Sequence, residues 1–180
     1  MPDAAVYHWT PQGTPTAQPF AQDVHASFVY GVGVDDFLAW QLLGYQAKTN
    51  GDSAGQMIFL YASQAQARCQ YLSAVAEAAS SQAQSRSFQA RLGLPLDAVT
   101  SETVSGADDS AWTESWTSAN TDYTSAGPQT DVDYIVQVGT AVTFVSFVLP
   151  GLNQSVPNAA EAQAILGEIT QHLSVYASGS

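Results

Sequence analysis

The stretch from Asp133 to Gly151, DYIVQVGTAVTFVSFVLPG, constrains the fold more than any other part of the chain. Gly139-Thr140 offers a two-residue turn between YIVQV and AVTFVSFVL, so the spacing predicts a tight β-hairpin. Neither strand alternates apolar with polar. Tyr134, Val136 and Val138 flank Ile135, and Phe144 and Val148 interleave with Val145 and Phe147. Strands apolar on both faces belong in the middle of a sheet, with something packed on each side. Pro150-Gly151 then breaks the sheet.

Two long helices are predicted. The later one opens at Asn158, where Asn158 and Glu161 have the spacing of a capping box. Ala162, Ile165, Leu166, Ile169, Leu173 and Tyr176 fall on one stripe at helical spacing. The earlier one starts near residue 64, with Ser63 and Gln66 as a second capping box. It runs to Gln84 or Arg91, before Gly93 and Pro95. Ala65, Cys69, Leu72, Ala76 and Ala79 share one face of it, which reads as the buried face. Cys69 is the single cysteine, so no intramolecular disulfide forms, and it is expected to be a small core residue.

The other strands are less apolar. Residues 41–62 predict a hairpin of QLLGYQAKT and QMIFLYA around NGDSAG, on the strength of Asn50-Gly51. Residues 96–126 predict a polar hairpin turning at Gly106-Ala107-Asp108-Asp109, and TSAGPQTD at 124–131 reads as a loop. Asp35 or Asp36 is expected to cap a short helix holding Phe37, Leu38 and Trp40. The segment GVGVDD lacks the third glycine and the following helix of a dinucleotide fingerprint. Residues 1–24, with Pro2, Pro11, Pro15 and Pro19, are expected to be an irregular leader to a single domain over 25–180. The fold class is α+β: a largely antiparallel twisted sheet of about five to six strands packed with two main helices.

Charge narrows the function. The 180 residues carry 16 acidic and 4 basic side chains, a formal net charge of −12. Lys48, Arg68, Arg86 and Arg91 cannot build the cationic patch that nucleic acid requires. The same excess of carboxylates repels anionic membranes and phosphates and favours a monomer. Few lysines with many Ala, Ser, Thr and Gln residues suit an exported protein. The opening MPDAAVYHWTPQG has neither the basic region nor the apolar run of a signal peptide, so Met1 is either a native cytoplasmic start or the start of a trimmed mature domain, and the second is expected.

No catalytic or metal motif stands out. His8, His25 and His172 are not at ligand spacing. Asp131 and Asp133, with Asp122, lack the glycine and glutamate of an EF-hand loop, and no metal or cofactor is expected. No serine sits in a nucleophile elbow. Trp112, Glu114 and Trp116 share one strand face by the period of two. Aromatic walls can desolvate Glu114 and raise its pKa, which is how a general acid is made. The other reading places Glu114 outward between two sheet-covering indoles. Trp9, Trp40, Trp112 and Trp116 lie in polar or edge segments, where an indole suits a ligand surface and equally suits filling a core beneath loops.

Three pieces, taken together, resemble a known family. They are FLAWQLLGYQ followed by a strand and SQAQARCQYLSAVAEA; the Thr/Ser-rich strands ending in AWTESWT; and DYIVQVGTAVTFVSFVLPG followed by NAAEAQAILGEITQHL. They are similar to the PknH-like extracellular sensor domain and the related exported lipoproteins of actinobacteria, over about residues 34–176. The resemblance implies an antiparallel sheet with helices, displayed outside the cytoplasm, that acts as a sensor or binding module. The family commonly uses disulfides, and Cys69 has no partner for one.

The expected function is therefore an exported, non-enzymatic sensor-type or ligand-binding domain, with Trp40, Trp112, Glu114 and Trp116 as candidate ligand contacts. Its partner is expected to be a small molecule, peptide or glycan. The alternative is a small hydrolase or cyclisation-type enzyme with an apolar pocket and Glu114 as its acid or base.

Overall fold

A computed structural model of the chain describes residues 9–19, 37–47, 52–118, 127–151 and 156–177. These contain seven strands: β1 (Trp9–Pro19), β2 (Phe37–Ala47), β3 (Ser53–Tyr61), β4 (Val99–Ser105), β5 (Asp109–Trp116), β6 (Gln129–Val138) and β7 (Ala141–Pro150). Two helices, α1 (Gln64–Arg91) and α2 (Ala159–Leu173), complete the α+β fold. The sheet order is β1-β2-β3-β7-β6-β5-β4, and every neighbouring pair is antiparallel. The doubly apolar hairpin β6–β7 sits centrally, as its sequence demands. Helix α1 carries the chain from the middle of the sheet to the far edge at β4.

The two helices cover opposite faces. Ala162, Leu166, Ile169 and Leu173 of α2 pack on Ala111, Val132, Tyr134, Val136 and Val145. Ala67, Tyr71, Ala74 and Ala78 of α1 pack on Phe37, Phe59, Tyr61, Trp112, Ile135 and Val142. The α2 capping box forms in full. The Asn158 side chain accepts from the N–H groups of Ala160 and Glu161, and Glu161 accepts from Asn158 N–H at 2.9 Å. At α1 only the hydroxyl half forms, with Ser63 Oγ accepting from Gln66 N–H at 3.2 Å. Gly93 ends that helix in the left-handed region, φ +67°. Gly139 makes the β6–β7 turn at φ +56°, where an added Cβ would meet the Tyr176 carbonyl oxygen at 2.6 Å.

Four local expectations are corrected. Residues 9–19 are strand β1, although irregular structure was expected there. Pro11 and Pro19 are tolerated because β1 is the edge strand, where one side of the backbone has no neighbour among the described residues, and its register shifts between Gln12 and Thr16. β1 is also the strand beyond the expected five to six. Phe37 and Trp40 begin β2, not a short helix. A register shift between Phe37 and Ala39 brings residues three apart onto one face, which imitates helical spacing. Strand β6 begins at Gln129, so Asp131 lies in the sheet and not in a loop. The face of α1 holding Cys69 is the exposed one: Cys69 is exposed and Leu72 is 50% exposed. Tyr71 and Phe88, the bulky side chains of the other stripe, set the buried face. The turn at Asn50-Gly51 and the cap at Asp35 or Asp36 lie outside the described residues. No described helix is long and apolar enough to cross a membrane.

Candidate functional site

The α1-covered face of the sheet changes character along its strands. Directly opposed residues of antiparallel strands point to the same side with Cβ atoms roughly 4.5–5.5 Å apart. One row across the sheet reads Phe59, Val142, Gln137, and the next reads Met57, Phe144, Ile135, Ser110. Further along, the rows become Gly55, Ser146, Asp133, Trp112 and then Val148, Asp131, Glu114. The last pairs Gln129 with Trp116. Three acidic side chains thus share one end of a covered face, and all are buried: Glu114 is 1% exposed, Asp131 2% and Asp133 5%.

Helix α1 follows the same gradient. Its buried stripe is Ala67, Tyr71, Ala74 and Ala78 over the apolar rows, and then Ser81, Ser85, Phe88 and Gln89 over the acidic rows. Ser85 Oγ donates to Glu114 Oε1 at 2.6 Å. Ser81 and Thr100 share a hydroxyl–hydroxyl bond at 2.9 Å. Gln89 Nε2 donates to Asp97 Oδ1 at 2.7 Å, and Gln89 Oε1 accepts from Ala98 N–H at 3.3 Å. Within the sheet, Gln129 Nε2 donates to Asp131 Oδ1 at 2.8 Å.

These surroundings set the charge state. Burial, and then the neighbouring Asp133 and Glu114 carboxyls, push the Asp131 pKa up to about 8, against the pull of the Gln129 amide. Asp131 therefore holds its proton at neutral pH. Two buried polar atoms on this face have no hydrogen-bond partner, Trp116 Nε1 and Ser146 Oγ. Among the described residues no three His, Cys, Asp or Glu side chains form a metal-binding group.

A second feature lies at the other end of α1. A cleft of about 490 Å³ is lined by Gln64 of α1, Ala107, Asp108 and Asp109 at the β4–β5 turn, Gln137, Val138 and Gly139 at the β6–β7 turn, and Thr170 of α2. Its rim is held in place. Arg68 Nη1 donates to Asp108 Oδ1 at 2.8 Å and also to the Ala107 carbonyl. Gln137 Nε2 donates to the Gly139 carbonyl at 2.8 Å, and Tyr71 Oη donates to the Gly106 carbonyl at 3.2 Å.

Of the residues singled out in the sequence, Trp112, Glu114 and Trp116 share one face, as their spacing requires. They lie closed beneath α1, with Trp112 6% and Trp116 1% exposed, and Glu114 is not outward-facing. Trp40 is elsewhere. It is half-buried and stacks on Phe59 with ring centres 6.5 Å apart. Strands β3, β7 and β6 separate it from β5, on the order of 19 Å across the sheet. Sequence reasoning missed Asp131 and Asp133 as partners of Glu114. The signal was available: both fall in a strand whose continuation was read as covered on both sides. The cleft had no sequence signal, since four separate elements build it.

No protein-family model and no curated protein matches the sequence. The fold does have a solved counterpart. The chain is similar to the extracellular domain of PknH from Mycobacterium tuberculosis, with a TM-score of 0.54 and 11% identity, over 94% of this chain and 88% of that one. This chain shares the fold of that domain.

Proposed function

We propose that this chain is a non-enzymatic, extracellular sensor-type domain that binds a small polar ligand in the cleft at the start of α1. One observation carries the reading: the cleft is built jointly by both helices and by the turns of two hairpins. A ligand there touches every layer, so its binding free energy stabilises the whole domain. Similarity of fold to an extracellular domain supports placement outside the cell. The amides of Gln64 and Gln137, the Thr170 hydroxyl and the Asp109 carboxylate supply donors and acceptors for a peptide, a glycan or another small polar molecule. The net charge of −12 favours neutral or cationic members of those classes. The enzymatic alternative loses its support from Glu114, which is 1% exposed beneath α1 and out of reach of a substrate in this conformation.

Trp112 is a built-in reporter. Its indole N–H donates to Ser110 Oγ at 3.2 Å, one residue from Asp109 in the cleft wall. Thermal melts and tryptophan emission are to be followed across panels of neutral and cationic peptides, glycans and amines. A binder is expected to raise the Tm by a few degrees, and Gln137→Leu with Thr170→Val is expected to abolish the rise. A panel that leaves both readouts unchanged at millimolar concentration contradicts the proposal.

A further inference from the structure

We propose that the polar half of the α1–sheet contact is a proton-operated latch: α1 stays docked from Ser81 to Gln89 while the buried carboxyl cluster keeps a proton, and full ionisation of the cluster releases that half of the helix. The proposal concerns the opposite end of α1 from the cleft and does not depend on the cleft binding anything.

Geometry is the first support. Glu114 and Asp131 are directly opposed across β5 and β6, and Asp133 lies two residues along β6 on the same face. All three are at most 5% exposed. Carboxyl groups this close and this far from water do not all ionise together, because each new charge is raised in energy by burial and by its neighbours. Among the described residues no cation faces Asp131. From β5 it faces Glu114. From its own strand come Asp133 and the Gln129 amide. Across the β7 pairing stands Val148, with Ser146 one row away. The helix presents Ser81, Ser85 and Gln89, all uncharged. Arg86, on the same half of α1, spends its Nε on the Ala98 carbonyl at 2.8 Å. On β4, Thr100 is bonded to Ser81 and Glu102 is exposed. Asp97 is held by Gln89 and by Thr117 N–H.

The second support is what holds this half of the helix. Apart from Phe88, its buried residues are two serines and a glutamine that dock through hydrogen bonds, whereas the first half docks through Ala67, Tyr71, Ala74 and Ala78. Repulsion between ionised carboxylates therefore acts where apolar adhesion is weakest. The unpartnered Trp116 Nε1 and Ser146 Oγ are polar atoms on the same face that entering water would satisfy.

The sign follows from the two pKa values. Asp131 keeps its proton to about pH 8 when folded and to about its ordinary 3.8 when unfolded. Between those values unfolding releases a proton, so stability is greatest at acid pH and falls as pH rises. The test follows tryptophan emission and Tm of the whole chain from about pH 5 to about pH 9. The expected result is a Tm fall of about 5 °C or more, accompanied by red-shifted emission as Trp112 and Trp116 meet water. Asp131→Asn is expected to remove most of that fall. Glu114→Gln, which deletes one neighbouring charge, serves if the first variant does not fold and is expected to shrink the fall in the same direction. Carboxyl ¹³C NMR of the unaltered chain needs no variant and is expected to place the Asp131 ionisation between about pH 6 and 9. A Tm that is flat or rises with pH, a fall untouched by the foldable variant, or an Asp131 ionisation below about pH 5 overturns the proposal.

Discussion

Helix α2 meets the sheet through Ala162, Leu166, Ile169 and Leu173 against Val132, Tyr134, Val136 and Val145. Helix α1 begins in the same manner but ends with Ser81, Ser85 and Gln89 above Glu114, Asp131 and Asp133. Both contacts are buried, and both belong to one sheet. They differ in what holds them. Apolar burial is non-directional and indifferent to pH. Buried carboxyls and hydroxyls hold only while their hydrogen bonds stand and the acids do not all ionise. The comparison teaches that a two-sided sheet can keep one face as a permanent foundation and leave the other conditional.

Breaking the apolar side has the largest expected effect. Ile169→Ala is expected to cost about 2–5 kcal/mol, the range for a large-to-small change in a packed core. That cost is expected to be the same at pH 5 and pH 8.5 in denaturant titrations. Ser85→Ala removes the hydroxyl that donates to Glu114 Oε1 and leaves a buried carboxyl short of a donor. Its expected cost is about 1–3 kcal/mol, and it is expected to change between those two pH values. Gly139→Ala sharpens the comparison from outside either contact. It forces a left-handed backbone on a residue with a Cβ and pushes that Cβ toward the Tyr176 carbonyl, at an expected cost of about 1–3 kcal/mol with no pH dependence. Asn158→Ala is the smallest, about 1 kcal/mol, felt as fraying of the first turn of α2 in hydrogen exchange.

The sequence made one side of this comparison far more legible than the other. The β6–β7 hairpin and the α2 stripe are written in bulky apolar residues, whose period and turn glycine admit one interpretation. The extent of α1 was legible from Ser63 and Gly93, but its buried face was not. Alanine covers both sides of that helix, and Ser81, Ser85 and Gln89 look like surface residues until the acids beneath them are known. Strand β1 was hidden because its three prolines mark an edge strand and a loop alike. The Trp112–Glu114–Trp116 face was legible from the alternation of β5. Its other half was missed because β6 starts five residues before Tyr134, which draws Asp131 and Asp133 into a covered sheet. The cleft depends on tertiary convergence and leaves no local trace.

Native-state hydrogen exchange of the whole chain at pH 5 and pH 8.5, corrected for intrinsic rates, compares the two helices within one molecule. The account predicts that amides from Ser81 to Gln89 lose protection at the higher pH, while those of α2 and of the first half of α1 keep theirs. Equal protection along α1 at both pH values, or a matching loss in α2, would contradict it.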